Sequence, residues 1–231
     1  MTGKLIIIEA GDGCGKATQT AKLCRRLEQE GRRVRKVEFP DYQSPSSALI
    51  KMYLQGHFGR DAAAVNPYAA STFYAVDRFA SYKADWEGFL KAGGIVVCDR
   101  YTTSNMVHQA VKLADAAARG SFLEWLWDFE FVKMGLPVPD AVILLDMPPA
   151  YSQKLLAERA SKAGFAEKDI HEQDQAYLTR CYDCYRQIAE RYGWQIVSCV
   201  KDETLRSIDD IHEEVYARVA GGLLTGADNP G

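Results

Sequence analysis

Four consecutive apolar residues, Leu5-Ile6-Ile7-Ile8, run directly into Glu9-Ala10-Gly11-Asp12-Gly13-Cys14-Gly15-Lys16-Ala17-Thr18-Gln19, and that succession leaves few folds open. A short uninterrupted apolar run suits a strand buried on both faces. Gly11, Gly13 and Gly15 allow a tight loop whose N–H groups curl around an anion, where a helix begins and adds its positive dipole end. Lys16 stands where an ammonium can reach terminal phosphates. Strand, glycine loop and helix in this order predict a phosphate site at the carboxyl end of a parallel strand. The loop is an imperfect copy. The usual spacing is glycine, four residues, then Gly-Lys-Ser/Thr. Here Ala10 holds the place of the first glycine, and Ala17 that of the metal-binding hydroxyl.

The same alternation continues along the chain. A helix is predicted over 16–30, ending at Gly31, then a strand over 34–39 closed by Pro40. Helical patterns cover 46–55 and 67–92, the second stopped by Gly93-Gly94; strands follow over 95–99, 141–146 and 195–199, and a last helix over 207–220. β-Branched runs separated by amphipathic helices predict a three-layer α/β fold, with a five-stranded parallel sheet covered by helices on both faces. At 231 residues this is one domain, spanning 1–224, with a small polar tail over 225–231 expected to be disordered. In such sheets the ligand crevice lies outside the carboxyl ends of the strands. Residues 11–16, 39–42, 99–101 and 146–148 should therefore face one cleft.

A formal charge of −3 argues against a general nucleic-acid binder. The apolar run after Lys4 is too short for a signal peptide, and no apolar stretch is long enough to span a bilayer, so a cytoplasmic protein without membrane attachment is expected. Six cysteines make no disulfide framework in a chain of this size. Cys24, Cys98 and Cys199 read as small buried hydrophobes. Cys181-x-x-Cys184 lies inside a helical run over 172–192 with no second pair at zinc-finger spacing, which favours packing over metal. Cys14 fits its loop as a small residue.

Several segments taken together are more specific. They are Asp12-Gly13-x-Gly15-Lys16-x-Thr18-Gln19, Phe39-Pro40, Phe73-Tyr74-Ala75-x-Asp77-Arg78 and Asp99-Arg100-Tyr101-x-x-Ser104-Asn105, with Gly135-Leu136-Pro137-x-Pro139-Asp140 and Ile208-Asp209-Asp210-Ile211-His212-Glu213-Glu214. In this order, over about residues 4–220, the chain resembles the thymidylate kinases, of the nucleoside-monophosphate kinase branch of P-loop proteins. The resemblance implies a P-loop kinase fold with a short lid, and transfer of the ATP γ-phosphoryl group to dTMP, giving dTDP and ADP. It implies magnesium as cofactor and a homodimer. Two anionic substrates must be brought in line, so positioning and charge neutralisation should carry the catalysis.

The resemblance also assigns roles. Gly11, Asp12, Gly13, Cys14, Gly15, Lys16, Ala17 and Thr18 are expected to hold ATP, with Lys16 spanning the β- and γ-phosphates. Asp12, repulsive toward phosphate, is expected to serve the acceptor side. Arg78 and Arg100 are expected to hold the dTMP phosphate; for Arg78 the alternative is a helix-surface ion pair with Asp77 or a neighbour. Tyr74, one turn before Arg78, should stack on thymine, and Asn105 should pair with the base edge. Phe39, Tyr42, Ser104 and His108 complete the acceptor pocket, and Phe39-Pro40 is expected to carry the cis peptide frequent in the family. Asp99 should organise magnesium through water, or else pair with an arginine. The mobile lid falls at about 159–170. Because Gly13 and Cys14 supply no cation, Arg159 in the lid becomes the first candidate for the catalytic arginine, ahead of Lys162 and Lys168.

Three departures stand out. Asp41 or Tyr42 stands where relatives commonly carry an arginine, the lid has few arginines, and Ala17 cannot ligate metal. Thr18 points about 100° away from Ala17 and is no simple replacement. A kinase for another nucleoside monophosphate, and a non-catalytic nucleotide sensor with an altered loop, are the alternatives. A GTP-driven switch is disfavoured by the absence of an Asn-Lys-x-Asp motif.

Overall fold

The apolar runs become strands and the amphipathic segments helices in the computed structural model, which describes residues 3–59, 61, 64–163 and 175–224; for 159–163, 175, 176 and 224 it gives only the course of the chain. In chain order these are β1 (Lys4–Glu9), α1 (Lys16–Gln29), β2 (Val34–Glu38), α2 (Ala48–Leu54), α3 (Pro67–Ser81), α4 (Glu87–Lys91), β3 (Ile95–Asp99), α5 (Thr102–His108) and α6 (Ala116–Trp127). There follow β4 (Ala141–Asp146), α7 (Pro149–Ala163), α8 (Gln175–Tyr192), β5 (Gln195–Ser198), β6 (Val200–Lys201), β7 (Thr204–Leu205) and α9 (Ile208–Val219).

Five strands form one parallel sheet in the order β2-β3-β1-β4-β5. β1 lies at its centre because alternate side chains each find a core. Leu5 and Ile7 join a cluster with Trp86, Tyr101, Phe122 and Tyr185, while Ile6 and Ile8 face Leu23, Leu27, Ile211 and Val215. Full burial of each such side chain stabilises the fold by about 1.5–3 kcal/mol. One face is thus covered by α1 and α9, the other by helices that include α5, α6 and α8. From β1 the chain crosses to β2 and then β3 on one side, and from β3 it passes to β4 on the other side of β1, so the strand order reverses beside the glycine loop. This is where a crevice opens in doubly wound sheets.

The predicted helix over 67–92 is broken. After α3 comes a π-type turn, Tyr82–Trp86, and then α4. Tyr82 and Trp86, four residues apart, are both buried, and the wide turn lets both rings reach the sheet. The helix predicted over 46–55 starts with a 3₁₀ turn, Pro45–Ser47, capped by Ser44. The β6–β7 hairpin was not predicted; its turn residues Asp202 and Glu203 adopt positive φ without a glycine. The tail at 225–231 and the start of the helical run predicted from 172 lie outside the described residues. Among the described residues no helix is long and apolar enough to cross a membrane.

Candidate active site

The loop between β1 and α1 uses its glycines for backbone conformation. Gly13 and Gly15 have φ of 77° and 86°, values disfavoured for residues bearing a Cβ. Gly15 caps α1 with no side-chain hydrogen bond, leaving first-turn N–H groups to an anion. Ala10, in the place of the usual glycine, is fully buried, so its methyl is accommodated by the core. Gly13 leaves no such room: a Cβ there would lie 2.6 Å from Cγ of Leu156 on α7.

Lys16 is buried at the loop's centre. Its Nζ donates to the carbonyls of Ala10 (3.0 Å) and Gly11 (2.8 Å) and lies 3.7 Å from Asp12 Oδ1. Asp12 also accepts a short hydrogen bond from Arg100 Nη2, so one carboxylate oxygen serves two cations. Burial alone would raise the Asp12 carboxyl, but Arg100, then Lys16, hold it below the ordinary range. Burial and the neighbouring Arg100 charge push the Lys16 ammonium down, against Asp12 and Asp99. Burial works against the Arg100 charge, yet Asp12 and other anionic neighbours keep it firmly protonated. Arg100 has a φ of 68°, in the left-handed region. That is costly for a residue with a long side chain, and the contacts of its guanidinium hold it there.

Two clefts meet at this pair. One is lined by the loop from Asp12 to Thr18, with Glu38 and Asp99 from the ends of β2 and β3. The nine residues named for the acceptor line the other, together with Pro40, Leu54, Tyr101 and Gln109. Asp12, Phe39, Pro40, Tyr42 and Arg100 belong to both. The carboxyl ends of β1, β2 and β3 therefore converge as the strand topology predicts. Asp146, at the end of β4, faces a separate apolar recess between the loop and helices α7 and α8.

In the acceptor cleft, Arg100 Nη1 donates to Ser104 Oγ (3.2 Å), and Ser104 donates to Glu9 (2.7 Å). Glu9 is fully buried and also accepts from Thr103 and Tyr185, so three hydroxyls hold its carboxylate behind the arginine. His108 Nε2 lies 3.1 Å from the Tyr185 hydroxyl. Asn105 Nδ2 reaches the Ser71 carbonyl at 3.4 Å, whereas the buried Oε1 of Gln109, one turn further on, has no hydrogen-bond partner. Gln109 was missed by sequence reasoning, although its spacing of four residues from Asn105 puts both on one face. The Phe39-Pro40 peptide is cis.

The alternative pairing considered for Arg78 is not the one found. Asp77 turns away, accepting from Asp41 N (2.9 Å) and Ser46 Oγ (2.6 Å), and so anchors the loop that carries Tyr42. Arg78 pairs instead with Glu130, beyond the end of α6. Asp99 lines the loop cleft, and burial raises its carboxyl despite Lys16 and Arg100. Arg159 and Lys162 fall on the backbone of α7, which continues to Ala163, and their side chains lie outside the described residues, as does Lys168 with the rest of the expected lid. Burial raises the Cys14 thiol. Cys181 and Cys184 pack toward His108 and the Val107 carbonyl.

The thymidylate kinase family profile matches residues 8–215. A thymidylate kinase from Mycobacterium tuberculosis is 32% identical over 191 residues, covering 82% of this chain and 87% of its own. A probable thymidylate kinase from Thermococcus onnurineus is 31% identical over 229 residues, 95% of this chain and 98% of its own. The human thymidylate kinase is 26% identical, over 99% and 95%. The solved thymidylate kinase of Candida albicans superposes with a TM-score of 0.68 at 22% identity, over 95% of this chain and 92% of its own, a likeness of fold.

Proposed function

Since this chain belongs to the thymidylate kinase family, we propose that its Asp12–Arg100 pair is the junction across which phosphoryl transfer is organised. The reaction is that of the family: the ATP γ-phosphoryl group passes to dTMP, giving dTDP and ADP. The observation that carries the assignment of roles is that Asp12 and Arg100 line the loop cleft and the acceptor cleft alike.

ATP binds with its phosphates in the glycine loop, held by N–H groups and Lys16. dTMP lies in the other cleft, its 5′-phosphate against Arg100. Asp12 bars the ATP phosphates from sliding toward the acceptor and fixes the guanidinium plane. No general base is required, because the attacking phosphate oxygen is already anionic. Holding two polyanions in line is the main work, through fixed donors that need not reorganise as charge develops. Arg159 is proposed as the lid cation because Gly13 and Cys14 bring none to the loop, and the crowding of Gly13 by Leu156 supports that reading.

Magnesium fits the loop cleft. Asp99 lines it with a carboxylate, and among the described residues no group of three or more His, Cys, Asp or Glu is arranged to hold a metal by itself. Such a cation would keep water and ATP oxygens as most of its ligands, with Asp99 reached through water. Bound there, it neutralises β- and γ-phosphate charge. At the far end of the acceptor cleft, Tyr74 offers a face for the base, and the unpaired Gln109 oxygen accepts from its N3–H. Tyr68, Val76 and Phe79 present exposed apolar surface on α3, which suits a homodimer contact. Six free thiols suit a reducing cytoplasm.

A coupled assay with ATP, magnesium and dTMP, dUMP, AMP or CMP in turn tests the reading. dTMP should be the preferred acceptor. Folded protein that binds ATP yet fails to turn over dTMP would sink it.

A further inference from the structure

Three carboxylates line the glycine-loop cleft, those of Asp12, Glu38 and Asp99. Asp12 is committed, since Lys16 and Arg100 share one of its oxygens. The other two stand side by side. Glu38 and Asp99 are register partners, the last residues of the neighbouring parallel strands β2 and β3. Aligned residues of adjacent strands lie about 4.8 Å apart and point to the same face. Val34 and Val97, in phase with them, pack into the cluster that includes Leu23 and Leu27 of α1, so both carboxyls leave the sheet on the side of that helix. Lys36, on the same face, donates to Glu38 Oε2 at 2.8 Å, and the Glu38 side chain stays 64% exposed. Among the described residues no hydrogen bond or ion pair engages the Asp99 carboxylate.

Two anions beside a polyphosphate site oppose binding unless a cation stands between them and the phosphates. Ala17 lines the same cleft without the hydroxyl that would help to fix such a cation. Magnesium keeps several waters when it rides on nucleotide phosphates, and those waters need acceptors to hold them in place. Two carboxylates on rigid strand ends supply such acceptors. A Lys36–Glu38 pair that only decorated the surface would stabilise little and leave nucleotide binding untouched.

We propose that Glu38 joins Asp99 as a second positioning carboxylate for magnesium in the loop cleft, holding the metal's water ligands in place of the hydroxyl absent at Ala17. The proposal rests on the assignment of this cleft to magnesium-bound ATP. Glu38 acts through water and touches neither the metal nor the nucleotide.

The test is calorimetric binding of an ATP analogue with a non-hydrolysable β–γ imido bridge, to full-length wild type and Glu38→Gln. Each is titrated once in excess magnesium and once in EDTA, so no turnover enters the readout. E38Q should bind the magnesium-loaded analogue about tenfold more weakly. It should bind the metal-free analogue at least as tightly as wild type, because one repelling carboxylate is gone. Damage to the fold would weaken both forms together. Ala17→Ser in the E38Q background should recover most of the affinity lost in magnesium. Equal constants for wild type and E38Q in magnesium would overturn the inference, as would parallel weakening in EDTA or a loss that A17S leaves unrepaired. A wild type that binds the analogue equally well in magnesium and in EDTA would overturn the placement of the metal in this cleft as well.

Discussion

Replacing Asp12 by asparagine removes the anion between two enclosed cations while leaving the side-chain shape. Lys16 Nζ lies 3.7 Å from Asp12 Oδ1; at an effective dielectric near 20 that separation corresponds to about 4.5 kcal/mol of gross attraction. Asp12 is 29% exposed, so solvent screening and the desolvation already suffered reduce the net loss to about 2 kcal/mol. For a domain of this size the apo enzyme should then melt about 4–8 °C lower. The deficit should be the same from pH 5 to 8. The Asp12 carboxyl is held below its ordinary value, so its stabilisation is complete above the unfolded value near 4 and lost only as pH falls through the folded one. ATP should close the gap, because its phosphates supply the missing anion and no longer meet a carboxylate. The assay is thermal melting of wild type and D12N, with and without saturating ATP, beside turnover with dTMP, which should fall sharply in the variant. If D12N melts like wild type, or gains less from ATP than wild type does, the account of this junction is wrong.

Further outcomes can be checked in the same preparations. Burial raises the Asp99 carboxyl, so its ionised form costs stability as pH rises through the folded value. D99N should therefore lose turnover yet melt above wild type at neutral pH, and the acid limb of wild-type kcat/KM for ATP should lie above the ordinary aspartate value near 3.9. Arg159→Ala should lower kcat far more than it weakens ATP; equal losses in a steady-state comparison would indicate ground-state binding alone. Val76→Asp on the exposed face of α3 should convert a dimer to monomer by light scattering, and an unchanged mass would clear that face of the contact.

Much of the architecture could be read in advance because parallel strands buried on both sides leave contiguous apolar runs. Leu5–Ile8 and the residues of β3 and β4 are of that kind. Helix α6 gives no such signal: Phe122, Leu123, Trp125, Leu126 and Trp127 spread apolar surface around its axis, so periodicity is flat. The π-type turn at Tyr82–Trp86 hides inside a pattern that reads as uninterrupted helix. At the site, residues next to strand ends were legible because the sheet fixes where they point. Asp77 and Arg78 show the limit. Neighbours in sequence, they anchor different elements, the loop at Asp41–Ser46 and the buried Glu130, and nothing local to either announces a partner dozens of residues away.

The contact between Gly13 and Leu156 also bears on how such an enzyme can change over evolutionary time. With the catalytic cation assigned to Arg159, as proposed above, the charge comes from the lid, and Gly13 and Cys14 bring none to the glycine loop. Here any side chain at position 13 must adopt a φ of 77° and meet Leu156 Cγ at 2.6 Å, which is the branch point of that leucine and not a yielding tip. A single change to arginine would strain the loop and push α7 away. Moving the charge from lid to loop therefore needs a smaller residue at 156 first, an order of mutations that makes the present arrangement slow to reverse.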